Sequence, residues 1–166
     1  MNQLYAEAGV KKKQDLLTLT YRVLLVLAVF VALYIVTLKG RIFPIISIVM
    51  IAGVVFLFPR LNVDYEYVFV DGQIDFDRII AKSKRKTILR VDMEQMEIVA
   101  PSGSHALDGY THVQLTTQDF SSGNKDRKTY IIIANVKERK CRIVFEPSEK
   151  MLDMMKQKSP RKISLI

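Results

Sequence analysis

Two apolar runs near the amino end constrain this chain more than any other feature. Between Arg22 and Lys39 lie 16 residues without a charge (VLLVLAVFVALYIVTL), and between Arg41 and Arg60 lie 18 more (IFPIISIVMIAGVVFLFP). At about 1.5 Å per residue the second run rises roughly 27 Å, close to the thickness of a hydrocarbon core. The first extends backwards through LLTLTY, because Arg22 can snorkel its guanidinium to the interface while its methylenes stay in lipid. We read two transmembrane helices, over 16–38 and 42–59, joined by a short external turn at 39–41. A cleaved signal peptide competes for the first run, since Lys11, Lys12 and Lys13 precede it. Its apolar region is longer than such peptides carry, no A-x-A-like site follows, and a second run comes at once.

The expected hairpin is tight. Pro44 suits the first turn of the second helix, where a missing N–H leaves no bond unmade. Ala28 and Ala32, with Ala52 and Gly53 opposite, are small residues that either let two backbones approach or are ordinary lipid-exposed composition, the commoner case at such spacing. Neither run holds an internal acid, Lys or His, which argues against transport by this chain alone. The positive-inside rule counts Lys11, Lys12, Lys13 and Arg22 before the hairpin and Arg60 after it, against Lys39 and Arg41 in the connection. Both termini are therefore expected in the cytoplasm, with all seven cations as interface anchors in a multi-pass cell-membrane protein.

The remainder is a different kind of polymer. The chain is 49% hydrophobic with 25% charged residues, so it is no disordered polyelectrolyte, and Cys141 alone builds no disulfide scaffold. Residues 1–15 are read as a cytoplasmic N-terminal segment and 61–166 as one cytoplasmic β-domain. In it VDYEYVFV and QIDFDRII flank Asp71-Gly72, a strong signal for a two-residue hairpin. The implied register sets Val70 against Gln73, Val68 against Asp75 and Glu66 against Asp77. Tyr65, Tyr67, Phe69, Ile74 and Phe76 then share a core face, while Asp64, Glu66, Asp75 and Asp77 share an acidic one. Facing carboxylates repel, so a cation must lie alongside. A neighbouring strand, TILRVDM, supplies it if Leu89, Val91 and Met93 point inward and Arg90 outward; a divalent metal is the other reading, and no metal is expected.

Further strands are read over 96–100, 112–117, 129–136 and 141–146. Pro147 opens a helix over about 148–158, with Met151, Leu152, Met154 and Met155 as its apolar stripe and Ser159-Pro160 as its stop. As a barrel plug this stripe is ordinary; it also suits a pliable partner-binding face. The strand at 130–136 is apolar on both faces, so its second face is either covered or left as a docking surface.

Seven short strands capped by an amphipathic helix resemble a pleckstrin-homology-like barrel or sandwich. The whole arrangement, two spans followed by VDYEYVFVDGQIDFDRIIAKSKRKTILRVDMEQMEIVAP, is similar to an uncharacterised family of small two-pass bacterial membrane proteins carrying such a domain. The resemblance implies architecture and a membrane location, and brings no catalytic residues with it.

Lipid-binding pleckstrin domains grip inositol phosphates with basic residues between their first two strands, and here that loop is only Asp71-Gly72. The basic cluster is instead Lys82, Lys84, Arg85 and Lys86, read as a loop between the second and third strands. Such a cluster contacts anionic phospholipid headgroups or an acidic protein partner, or is simply solvated and guards a strand edge. Nucleic acid is not expected: no aromatic interleaves the run, and residues 60–166 carry 19 Lys plus Arg against 15 Asp plus Glu. No enzyme is expected either. His105 and His112 are seven residues apart, Cys141 falls on an inward strand position, and no phosphate loop, metal-spaced set or cofactor motif occurs. The reading is a membrane-anchored binding or scaffold module facing a protein partner or the anionic leaflet. Its alternative is a structural subunit of a larger membrane complex, recognised through the hairpin.

Overall fold

A computed structural model describes residues 4–13, 16–38 and 43–164. Among these residues the order is β1 (Tyr5–Lys11), α1 (Leu16–Leu38), α2 (Phe43–Leu57), a 3-10 turn over Phe58–Leu61, β2 (Val63–Val70), β3 (Gln73–Ile80) and β4 (Lys84–Asp92). There follow β5 (Met96–Pro101), a second 3-10 turn over His105–Tyr110, β6 (Thr116–Asp119), β7 (Tyr130–Val136), β8 (Arg139–Phe145) and α3 (Glu149–Lys158). The strands form two four-stranded sheets, β1-β2-β3-β4 and β5-β7-β8-β6, which do not close into one barrel. All neighbours are antiparallel except β6 and β8.

The hairpin at Asp71-Gly72 has the expected register throughout, with Glu66 opposite Asp77 and Val70 opposite Gln73. Both turn residues have positive φ, 48° and 102°, as a type I′ turn requires. Tyr67, Phe69, Ile74 and Phe76 are fully buried, and Tyr65 packs against them half-buried. The second sheet closes over this face with Ile132, Ile143 and Phe145. Rings dominate the join: Phe76 stacks on Phe120 at 4.8 Å, and Tyr67 and Phe145 meet Phe76 edge-on. The α3 stripe seals one side, with Met151 and Met155 wholly buried, and Ser148 caps the helix by accepting the Met151 N–H at 3.3 Å. The chain beyond α3 runs back along β5, where Val99 bonds Lys162 and Ser164 through backbone groups at 2.8 Å, so the β5 edge is not left bare.

Two expectations are corrected. First, the described residues hold eight strands and not seven, because residues 5–11 of the N-terminal segment form β1, paired with β2 from Tyr5–Val70 to Lys11–Asp64. Its buried face is only Ala6 and Val10. Small side chains in a seven-residue strand give too weak an alternation to stand out, and the partner lies some 50 residues away in sequence. Second, the strand read at 112–117 forms at 116–119 instead, paired parallel to β8, with the residues before it in turns. Of the two readings left open for the outer face of β7, the covered one holds: Ile131 and Ile133 are 1% exposed, beside Leu107 and Leu115 of the loop segment.

The helices leave the sheet between β1 and β2. α1 is the one helix among the described residues long and apolar enough to cross a membrane; its stretch Leu16–Tyr34 has a mean hydropathy of 2.4 and is 6% buried. The second expected span is shorter than 42–59. Regular helix ends at Leu57 and tightens into the 3-10 turn containing Pro59, which has no N–H to continue the ladder. Pro44 lies in the first turn of α2, as read. Of the small residues read at the contact, only Ala32 packs closely. Ala32 is buried and its carbonyl accepts the buried Ser47 hydroxyl at 3.0 Å, whereas Ala52 is exposed and a Cβ on Gly53 would meet nothing within 4 Å.

Candidate functional site

Charge on the first sheet is sorted by face. On the outer face Arg90 grips both oxygens of Asp75 at 2.8 Å, and Arg85 reaches Asp77 and Glu66 at 2.6 Å each. The acidic face thus gets the strand cation expected of Arg90, and a second that was not. Ile88 is why. Phe76 pairs with Leu89 but Asp77 with Thr87, so Ile88 bulges out and inverts the alternation beyond it. Arg85 thereby joins Arg90's face, and Lys84 and Lys86 turn to the opposite one. The Arg90 fork holds the Asp75 carboxyl below the usual carboxylate range, and Asp77 raises the Arg85 guanidinium. A hydrogen bond between Glu7 and Glu66 raises Glu66 and lowers Glu7, which also accepts the Tyr5 hydroxyl at 2.6 Å. Among the described residues no group of three or more His, Cys, Asp or Glu stands as a metal cage.

The basic cluster read as one loop is therefore divided. Only Lys82 lies in the turn. Lys84, Arg85 and Lys86 are strand residues, because β4 begins three positions earlier than TILRVDM. Arg85 is consumed by the acids, Lys86 stands opposite Arg78 in register, and Lys84 lines a groove against α2.

The side chains that do converge come from five different parts of the chain, around a cleft of about 510 Å³ where the helices meet the domain. Lys11 ends β1, and Lys12 and Lys13 continue it. Their backbones are pinned, Lys12 N–H to the Val63 carbonyl at 3.3 Å and Lys13 N–H to that of Ser122 at 2.7 Å. Arg22 stands one helical turn after Thr18 on α1, so both face the cleft. Arg60 comes from the turn after α2, its guanidinium 3.9 Å from the Phe56 ring centroid. Arg78 is the last cation of β3, and Lys82 follows in a turn where Ala81 and Lys82 both take positive φ, 54° and 56°. That strained backbone, anchored by Ala81 N–H on the Asn62 carbonyl at 3.1 Å, aims Lys82 at the cleft.

Seven cations thus face one acid, Asp64, and none forms an ion pair with a described residue. Arg22 is fixed in place, since its Nη2 donates to Asn62 Oδ1 at 2.6 Å, its guanidinium lies 5.6 Å from the Phe58 ring, and its Nε is sealed from solvent with no partner. Lys12 leans over the Tyr65 ring at 5.8 Å. Such an arrangement attracts and holds anions. Sequence reasoning named Lys11, Lys12, Lys13, Arg22, Arg60 and Lys82 separately, as anchors or loop charges. It passed over Arg78 and Asn62, and only the pairing of β1 with β2 brings the set together. Lys39 and Arg41 lie outside the described residues.

Beside the cleft, and sharing Arg60 with it, a groove of about 530 Å³ runs between Val55 and Phe56 of α2 and Ile80 and Ala81 at the end of β3. Elsewhere, Cys141 is buried in the core and His105 pairs with Asp108 in solvent at 3.1 Å. Glu146, buried, takes the Ser122 N–H and hydroxyl at 2.7 and 2.6 Å, tying down the segment that receives Lys13.

Comparison with curated proteins and with solved structures finds no match to the chain. A family model does match, over residues 2–165, and takes in β1, both helices and the two sheets together. The chain belongs to the family described as bacterial PH-like domain (DUF6106).

Proposed function

We propose that this protein is a non-enzymatic, membrane-anchored binding module, in which α1 and α2 cross the cell membrane as a hairpin and hold the PH-like domain at its cytoplasmic face, for a protein partner or the anionic leaflet. The observation that carries the reading is where the helices are inserted. They interrupt the sheet between two directly paired strands, so both ends of the excursion return to one edge of the domain. An excursion of that shape, exposed and apolar along α1, suits a bilayer, which it would enter and leave on one side. Beyond Arg22, which belongs to the cleft at its foot, α1 rises about 24 Å, and α2 roughly 22 Å. The cations gather at the foot of the pair, as the positive-inside rule asks of a cytoplasmic foot. Confinement to the surface raises the effective concentration of anything else bound there, so each domain contact need only be weak.

Carbonate extraction of membranes from cells making the full chain tests this. The protein is expected to stay in the pellet, as an integral protein does. Release into the supernatant, or recovery from the soluble fraction without detergent, refutes it.

A further inference from the structure

Within one sheet, structural cations and idle ones are kept apart. Arg85 and Arg90 are saturated by carboxylates, while Arg78 and Lys82, a few residues away, line the cleft with Asp64 and form no ion pair with a described residue. Arg22 approaches them from α1 with its Nε buried and unpartnered. Asn62 fixes the guanidinium plane by one bond at 2.6 Å and leaves the rest of its donor edge uncommitted. Forked arginines beside flexible lysines match the oxygens of a phosphate better than a single carboxylate, which two donors satisfy.

The groove across Arg60 supplies the second half of the chemistry. It is lined by Ala52, Val55 and Phe56 on one side and Ile80 on the other, and it joins the basic cleft at one residue. A ligand filling both has an anionic head and an apolar tail. We propose that the cleft is a phosphate site occupied by the headgroup of an anionic phospholipid, with an acyl chain along the α2 groove. This rests on the membrane reading above and narrows it to a lipid class. The hairpin then anchors the domain, and the bound lipid sets its seating on the surface.

The test uses the full-length protein in nanodiscs of phosphatidylcholine with a minor fraction of phosphatidic acid, and native mass spectrometry to count lipid retained after release. Phosphatidic acid is expected to be retained well above its share. The pair Arg78→Gln/Lys82→Gln, neither of which holds a structural bond, is expected to lower that retention about 30-fold. The pair Lys125→Gln/Lys128→Gln, with the same change of charge on an exposed segment, is expected to leave it unchanged. Melting of both variants in pure phosphatidylcholine should match the parent, which separates lipid loss from misfolding. Equal loss in the two pairs, or no preference for phosphatidic acid, overturns the proposal. Displacement of the lipid by glycerol phosphate at matched concentration assigns the cleft to a soluble phosphate and overturns the lipid source. Failure to enter nanodiscs sinks the membrane reading itself, whereas entry without preference sinks only the lipid site.

Discussion

At the residue scale, the domain relies on a few buried polar atoms with a single partner each. The Tyr67 hydroxyl, inside the aromatic cluster, donates to the Phe120 carbonyl at 2.5 Å, and burial pushes its pKa far above the usual phenol value. Tyr67→Phe keeps the ring and strands that carbonyl, so a loss of about 1–3 kcal/mol is expected in thermal melting of the detergent-solubilised chain. A loss no larger than that of an exposed Tyr21→Phe would contradict the role. The opposite sign is expected at the turn joining β7 and β8. Lys137 and Glu138 occupy it with φ of 49° and 64°, a conformation that side chains other than Asn, Asp and Gly resist. Lys137→Asn with Glu138→Gly should therefore raise stability by about 1 kcal/mol, measured the same way. Asp71 shows how much a well-chosen turn residue can do. Besides adopting its positive φ, it bonds Leu4 twice, through its side chain and its own N–H at 3.1 Å, and so starts β1 in register.

At the scale of elements, the outer face of the first sheet is held by cross-strand charge, and acid should loosen it. Asp75 keeps its charge in the folded state to a lower pH than when unfolded, because Arg90 bonds the ionised form. Stability from the pair is complete above the ordinary carboxylate range and is lost as pH falls through the depressed folded value. Arg90→Gln should melt below the parent at neutral pH, and the two melting curves should converge as pH falls below the depressed folded value of Asp75; a constant gap would refute the linkage. These elements also mark what could be read beforehand. The β2–β3 hairpin was legible because Asp71-Gly72 and strict alternation are local signals. Arg90 was legible for the same reason, whereas Arg85 was not, since a bulge at Ile88 leaves no mark in the pattern. β1 escaped because Ala6 and Val10 bury little and its partner follows both helices. Every cation of the cleft except Arg78 drew notice singly, yet nothing in the chain announces that Arg22 will stand beside Asn62.

At the scale of the whole molecule, the two sheets, α3 and the helical excursion depend on one another through β1. If the pair of helices crosses the membrane, residues on either side of it must share a compartment, because β1 and β2 are hydrogen-bonded neighbours. Single cysteines at Lys12→Cys and Lys128→Cys should both react with a membrane-impermeant maleimide in inside-out vesicles, and neither in intact cells. Native Cys141 is buried and adds little background. Opposite accessibility of the two positions would be incompatible with the paired strands.

That interruption of the first sheet also orders events during synthesis. β1 leaves the ribosome before either helix, and β2 is translated only after both, so the nascent strand waits unpaired through some 50 residues of translation. Closing so long a loop in free solution carries an entropic cost that grows with its length. On the membrane reading proposed above, helices lodged side by side in the bilayer would draw the two strands together in advance, and maturation of the two sheets would be contingent on delivery to the membrane.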